Sequence, residues 1–152
     1  MKKINRYAGY INLKPINGVL YPSSIQNILM KGYVTNSLNG KFYLSPTEVL
    51  QAKYSITLNT LLDKDISIKG IVMLSSFSLP INTNDRMAIY KKAINTKKEL
   101  HFMLDELALK DKSHIEKVES YLIFRNNFFT KTKSKMLDYE KTFLKNFKYS
   151  FV

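Results

Sequence analysis

"KGIVMLSSFSLP", residues 69–80, decides the fold. Ile71 to Leu74 is a continuous apolar run of the kind that parallel strands show when helices cover both of their faces. Working outward toward the amino end, residues 7–13 look like a first strand. It leads into "GYINLKPING" (9–18), where Asn12, Lys14, a proline and an Asn-Gly pair form a polar loop. Pro22 then opens a helix in which Ile25, Ile28, Leu29 and Tyr33 recur at helical spacing, ending near "TNSLNG" (35–40). "KFYLS" (41–45) predicts a short second strand, and "SITLNTLLDKD" (55–65) sets Leu58, Leu61 and Leu62 on one helical face that packs on the sheet.

Toward the carboxyl end, Asn84 or Asp85 can cap a helix bearing Met87, Tyr90 and Ile94, which feeds a strand at "ELHFML" (99–104). Ser113 and Glu116 spell a capping box ahead of Ile115, Val118, Tyr121 and Leu122. Strands and helices thus alternate four times. Right-handed crossovers then give an open, mostly parallel α/β sheet of four to five strands with helices on both faces. We expect one α/β domain over residues 1–126. Residues 127–152 read as a basic, aromatic helical extension with six lysines, two acids and a stripe through Met136, Tyr139, Phe143 and Phe147. That stripe suits docking on the domain, pairing with a second subunit or lying on a membrane; a homo-oligomer is the expectation.

The 152 residues include no cysteine, which removes disulfides, thiolate chemistry and cysteine–zinc sites. With two histidines, a dedicated transition-metal site is not expected. Asn5, Arg6, Asn12 and Lys14 interrupt the start too often for a signal peptide, and no run reaches membrane-spanning length, so we expect a cytoplasmic protein. The net charge of +12 is diffuse, with nine basic against three acidic residues in 1–80 and fifteen against nine in 81–152. It favours phosphate-bearing partners, or reflects a compositional bias.

In open α/β sheets ligands bind outside the carboxyl ends of the strands. That places candidate contacts at Asn12, Lys14 and Asn17 after the first strand, Ser45 and Thr47 after the second, and Ser75 and Ser76 after the third. Asp105 and Glu106 follow the fourth strand. The first helix turns its N-terminus, "PSS" (22–24), toward the same region and favours an anion there, or is simply well capped. Glu48 and Glu106 are the candidate general acids or bases, with a helix-start or solvated carboxylate as the alternative. Gln26 and Asn27 form an amide pair able to read a sugar hydroxyl or bridge to a loop. Arg86 suits a phosphate or carboxylate, or a surface ion pair. His101 suits a hydrogen-bonded structural role or a ligand contact. No G-x-G-x-x-G, Walker loop, H-E-x-x-H or C-x-x-C occurs, which disfavours classical dinucleotide, P-loop and zinc enzymes and implies no cofactor.

Two resemblances follow from these residues. Gly9, Tyr10, Ile11, Pro15, Gly18, Pro22, Gln26 and Asn27 form the first phrase of one of them. Leu44, Ser45, Thr47 and Glu48 form the second, and Gly70, Ile71, Val72, Ser75, Phe77, Leu79 and Pro80 the third. Arg86 and Tyr90, then Leu100, His101, Phe102 and Glu106, and then Ile115, Glu116, Val118 and Glu119 complete the order. Over about residues 8–122 the chain resembles the small sporadic carbohydrate cluster proteins, found beside genes for bacterial surface-polysaccharide and lipopolysaccharide sugars. Where that family usually has arginine this chain has Lys14, "SATEY" becomes "SPTEV", and the tail is not covered. Lysine lacks the bidentate fork, so a carboxylate or phosphate held there would be held more loosely.

More distantly, the order of elements resembles the catalytic domain of serine recombinases, the resolvase fold, in a resolvase-like or flavodoxin-like sheet. "GYINLK" places Lys14 where the nucleophilic serine would be, and "SFSLP" lacks the arginines of phosphoryl transfer, so strand cleavage is not implied. The resemblances imply a protein of surface-glycan biosynthesis that binds, and perhaps modifies, a sugar, sugar phosphate or nucleotide-sugar at the strand ends. A basic nucleic-acid-binding module and a non-catalytic scaffold are the alternatives.

Overall fold

The computed structural model describes residues 4–16, 18–43, 45–48, 55–128 and 131. Its strands are β1 (Arg6–Gly9), β2 (Lys41–Phe42), β3 (Gly70–Met73), β4 (Glu99–Phe102) and β5 (Leu107–Leu109). Its helices are α1 (Ser23–Asn36), α2 (Ile56–Leu61) and α3 (Thr83–Asn95), and residues 115–128 are also helical. The chain divides into two compact units, 1–118 and 119–152.

In the first unit the strands run in the order β2-β1-β3-β4-β5, with the first four parallel and β5 antiparallel at the edge. This is the expected architecture. The order reverses between β1 and β3, the switch point at which doubly wound sheets open a crevice. Gly70 to Met73 is buried throughout, which is why the run at 71–74 carries no polar alternation. Tyr7, Val72 and Leu74 pack with Met30 and Val34 of α1. Side chains alternate along a strand, so Ala8, Ile71 and Met73 face the opposite layer. Leu58, Leu61 and Leu62 are buried, as their spacing predicts.

The face of α1 differs from expectation. Ile25, Ile28 and Leu29 are exposed, Ile28 by 66%, while Gln26, Met30 and Val34 are buried. The stripe is rotated because the Gln26 amide is needed inside, where it donates to the carbonyls of Asn12 and Tyr21, both at 2.8 Å. In α3 the cap is Asn82, whose side chain accepts from Asn84 N, and the buried face is Arg86, Ile89, Tyr90 and Ala93, with Met87 outside. Ahead of residue 115, Asp111 rather than Ser113 is the cap, its carboxylate accepting from Ser113 N. β1 and β2 are shorter than predicted, since beyond Gly9 only an isolated bridge joins Ile11 to Thr47. β5 had no counterpart among the four alternations.

In the second unit Phe124 stacks on Phe128 with ring centroids 6.4 Å apart, and the Arg125 guanidinium lies 5.6 Å from the Tyr121 ring centre. Met136, Tyr139, Phe143 and Phe147, which carry the predicted aromatic stripe, lie outside the described residues. No helix of the described residues is long and apolar enough to cross a membrane.

Candidate functional site

At the carboxyl ends of the strands, the exits singled out by sequence are bonded to one another. Ile11 N donates to Pro46 O (3.1 Å) and Glu48 N to Ile11 O (2.8 Å), which fastens the β2 exit to the β1 exit. Asn12, buried, donates from Nδ2 to Ser78 O (3.0 Å) and accepts at Oδ1 from Lys14 N (2.9 Å). One side chain thus braces the β3 exit and shapes the turn that carries exposed Lys14. Ile16 and Val19 then exchange two backbone bonds, a closure that needs the left-handed φ of +80° at Gly18. Asn17 lies outside the described residues. Gly9 is required by close approach, because a Cβ there would meet Phe42 at 2.8 Å and Ser45 at 2.9 Å.

Asp105 is the centre of the next pair of exits. Its carboxylate accepts from Ser75 Oγ (2.8 Å), Ser76 Oγ (2.6 Å) and Ser76 N (2.6 Å). Two hydroxyls and an amide, all buried, are satisfied at once. Glu106, one residue on, is exposed in the left-handed region with φ of +53°. The carboxylate that gathers this exit is therefore Asp105 and not the Glu106 selected as acid or base. The signal was available: serines after β3 and a carboxylate after β4 must meet once β3 and β4 are neighbours.

The other sequence candidates divide into braces and exposed groups. Glu48 accepts from the Tyr10 hydroxyl (2.8 Å) and from Thr57 N (3.1 Å), so it caps the first turn of α2. Burial, and then the bond to this carboxylate, push the Tyr10 phenol well above its ordinary pKa. Arg86 is spent within the loop ahead of its own helix, donating to Pro80 O (3.1 Å), Ile81 O (2.5 Å) and Thr83 Oγ1 (3.0 Å). These three bonds hold the guanidinium against the loop that leads into α3. Gln26 fulfils the bridging half of its expectation. Ser45 Oγ donates to Asn27 Oδ1 (2.9 Å), and Asn27 and Thr47 are exposed, with Thr47 O accepting from Thr57 Oγ1.

His101 faces away from this rim. It is 2% exposed, its Nε2 lies 2.9 Å from Glu99 Oε2, and its ring meets Tyr7 edge-on with centroids 5.6 Å apart. Burial depresses the imidazole pKa, against the pull of Glu99. Glu99 in turn is paired with Lys69 at 3.2 Å. Sequence reasoning also passed over Lys98, which is buried and donates from Nζ to Leu61 O (2.9 Å) and Asp63 O (2.5 Å), with burial pulling its pKa down. Its signal was slight: a lysine beside the first residue of a buried strand.

No family model matches the chain, and no curated protein does. Among solved structures it is similar to a resolvase family site-specific recombinase from Streptococcus pneumoniae. The TM-score is 0.58 at 15% identity, covering 91% of this chain and 99% of that one. The fold is thus resolvase-like. At that identity the likeness defines the architecture and leaves the chemistry to the residues themselves.

Proposed function

We propose that this chain is a protein of surface-glycan biosynthesis that binds a sugar, sugar phosphate or nucleotide-sugar at the carboxyl ends of its strands. The reading is supported by one observation above all: the exits of β1, β2, β3 and β4 are joined by hydrogen bonds into a continuous polar rim at the switch point. Buried Asn12, Gln26, Ser75 and Ser76 fix the shape of the rim. Exposed or half-exposed Lys14, Asn27, Ser45 and Thr47 meet the ligand, Lys14 through its charge and the others through hydroxyl and amide contacts. The order of phrases shared with the sporadic carbohydrate cluster proteins supplies the biological setting. Association into a homo-oligomer through the segment beyond residue 126 belongs to the same reading.

Thermal unfolding with glucose 1-phosphate, UDP-glucose or a short DNA duplex, each at two salt concentrations, tests it. A sugar-ligand shift that persists at the higher salt and shrinks in Lys14→Ala and Thr47→Ala supports the rim. The net charge of +12 favours a second reading, a nucleic-acid-binding module without strand-cleaving chemistry. A shift with the duplex alone, collapsing steeply with salt, would establish that reading instead.

A further inference from the structure

The described polar side chains of the strand rim are largely occupied with one another, but a second concavity is not. Between the end of α2 and the outer face of α3 lies a groove of about 500 Å³, within the range of small-molecule sites. Asp63, Lys64, Lys91, Lys92, Asn95 and Thr96 line it. Lys92 Nζ sits 2.6 Å from Asp63 Oδ1 and donates to Asn59 O at 2.7 Å, so one cation is neutralised and held in place. Lys64 and Lys91 are exposed and have no carboxylate partner among the described residues. The Asn95 amide is likewise without a hydrogen-bond partner among them. Behind the wall, the Lys98 ammonium anchors the Asp63 carbonyl and adds positive potential.

A smaller recess of about 120 Å³, lined by Ser55, Asn59, Pro80, Asp85 and Ile89, shares Ala88 with the groove. The small side chain of Ala88 is all that both linings have in common, so a ligand lying over it would reach both. One end therefore offers two ammonium groups beside an amide, none of them with a partner among the described residues. The other offers an apolar wall from Pro80 and Ile89 with a single carboxylate, Asp85, able to accept from ligand hydroxyls.

We propose that this groove binds a nucleoside diphosphate-class anion, with the diphosphate between Lys64 and Lys91 and the hydroxylated ring against Pro80, Ile89 and Asp85. The lysine end of the site lies beyond the end of α2, away from the strand rim, and the proposal does not rest on the sugar reading. Two lysines match a diphosphate better than a lone sugar hydroxyl face would, and lysine acts here as a point charge without bidentate geometry. The same phosphate chemistry occurs in a free nucleotide and along a nucleic-acid backbone, so the experiment separates the two.

Calorimetric titration of the full chain with ADP, inorganic pyrophosphate and a short DNA duplex is the test, using wild type, the double variant Lys64→Glu/Lys91→Glu, Asp85→Asn and Lys14→Glu. Circular dichroism confirms that each variant is folded, as expected for exposed Lys14, Lys64 and Lys91 and half-buried Asp85. The expected result is saturable ADP and pyrophosphate binding, weakened at least tenfold in the double variant and unchanged in Lys14→Glu. Asp85→Asn weakens ADP and leaves pyrophosphate unaffected. ADP binding lost in Lys14→Glu and kept in the double variant would overturn the proposal in favour of the strand rim. Duplex binding that depends on Lys64 and Lys91 while ADP fails to bind would overturn it in favour of a nucleic-acid backbone. Absence of saturable binding by either small anion would overturn it outright.

Discussion

At the carboxyl rim of the sheet a carboxylate, Asp105, gathers hydroxyl and amide donors, whereas at the amino rim an ammonium, Lys98, gathers carbonyl acceptors. The difference follows from what each rim leaves unpaired. Beyond β3 the chain turns through Ser75 to Ser78 and points N–H and O–H groups at β4's exit, so an anion satisfies them. Beyond the last turn of α2 the helix leaves carbonyls without intrahelical donors, and its dipole is negative there, so a cation does. Lys92 adds a second ammonium at the same helix end by donating to Asn59 O, a carbonyl that also accepts from Leu62 N. The carboxyl rim is bound together by groups drawn from four strand exits, and the amino rim by groups serving one helix end and one strand pair.

Changing the charged hub of each rim should separate them by size of effect. Asp105→Ala leaves two buried hydroxyls and a buried amide without their acceptor, and we expect a loss of about 3 kcal/mol in denaturant unfolding. A loss below about 1 kcal/mol would mean that water replaces the carboxylate and that the rim is more open than its bonds imply. Lys98→Met removes the donor to two carbonyls but also relieves a buried charge. The net cost should be smaller, about 1–2 kcal/mol by the same measurement.

The pair at β4 sharpens the comparison through pH. Burial holds the His101 pKa below its ordinary value, so between the folded and unfolded values the unfolded chain binds more protons. The stability that His101 contributes is present above about pH 6.5 and is lost as pH falls through the lower, folded value. Burial raises the Glu99 carboxyl, but the bonds to His101 and Lys69 outweigh it and hold the group low, adding a loss of the same sign at more acid pH. Replacing the ring with a non-titrating one, His101→Phe, should flatten the first part of the melting-temperature curve and shrink the second, which Lys69 alone then sustains; an unchanged curve would remove His101 from the account. Smallest of all, Lys69→Ala breaks a half-exposed ion pair and should cost no more than about 0.5 kcal/mol, diminishing with salt.

Much of the layer structure was legible because burial on both faces leaves a direct mark: Ile71 to Leu74 could not belong to a half-solvated strand. Leu58, Leu61 and Leu62 were legible for the related reason that their spacing admits one buried face. The face of α1 was not, because periodicity ranks Ile25, Ile28 and Leu29 above Gln26, and only the loop carbonyls of Asn12 and Tyr21 reveal why an amide belongs inside. Asp105 was placed at the right strand exit, but its role as acceptor was not read, since its partners lie 29 and 30 residues away and become neighbours through the β3–β4 pairing. Gly18 was readable because an Asn-Gly turn states its own backbone requirement. Arg86 and Glu48 were found as polar residues at the right ends of the right elements, but the loop and helix ends that occupy them were invisible in one dimension.

The most direct test of the strand-rim account is an amide chemical-shift map of the full chain titrated with glucose 1-phosphate. The account predicts saturable shifts over residues 12–16, 45–48 and 75–78, abolished in Lys14→Ala. No saturable shift, or shifts confined to residues 63–64 and 91–96, would contradict it.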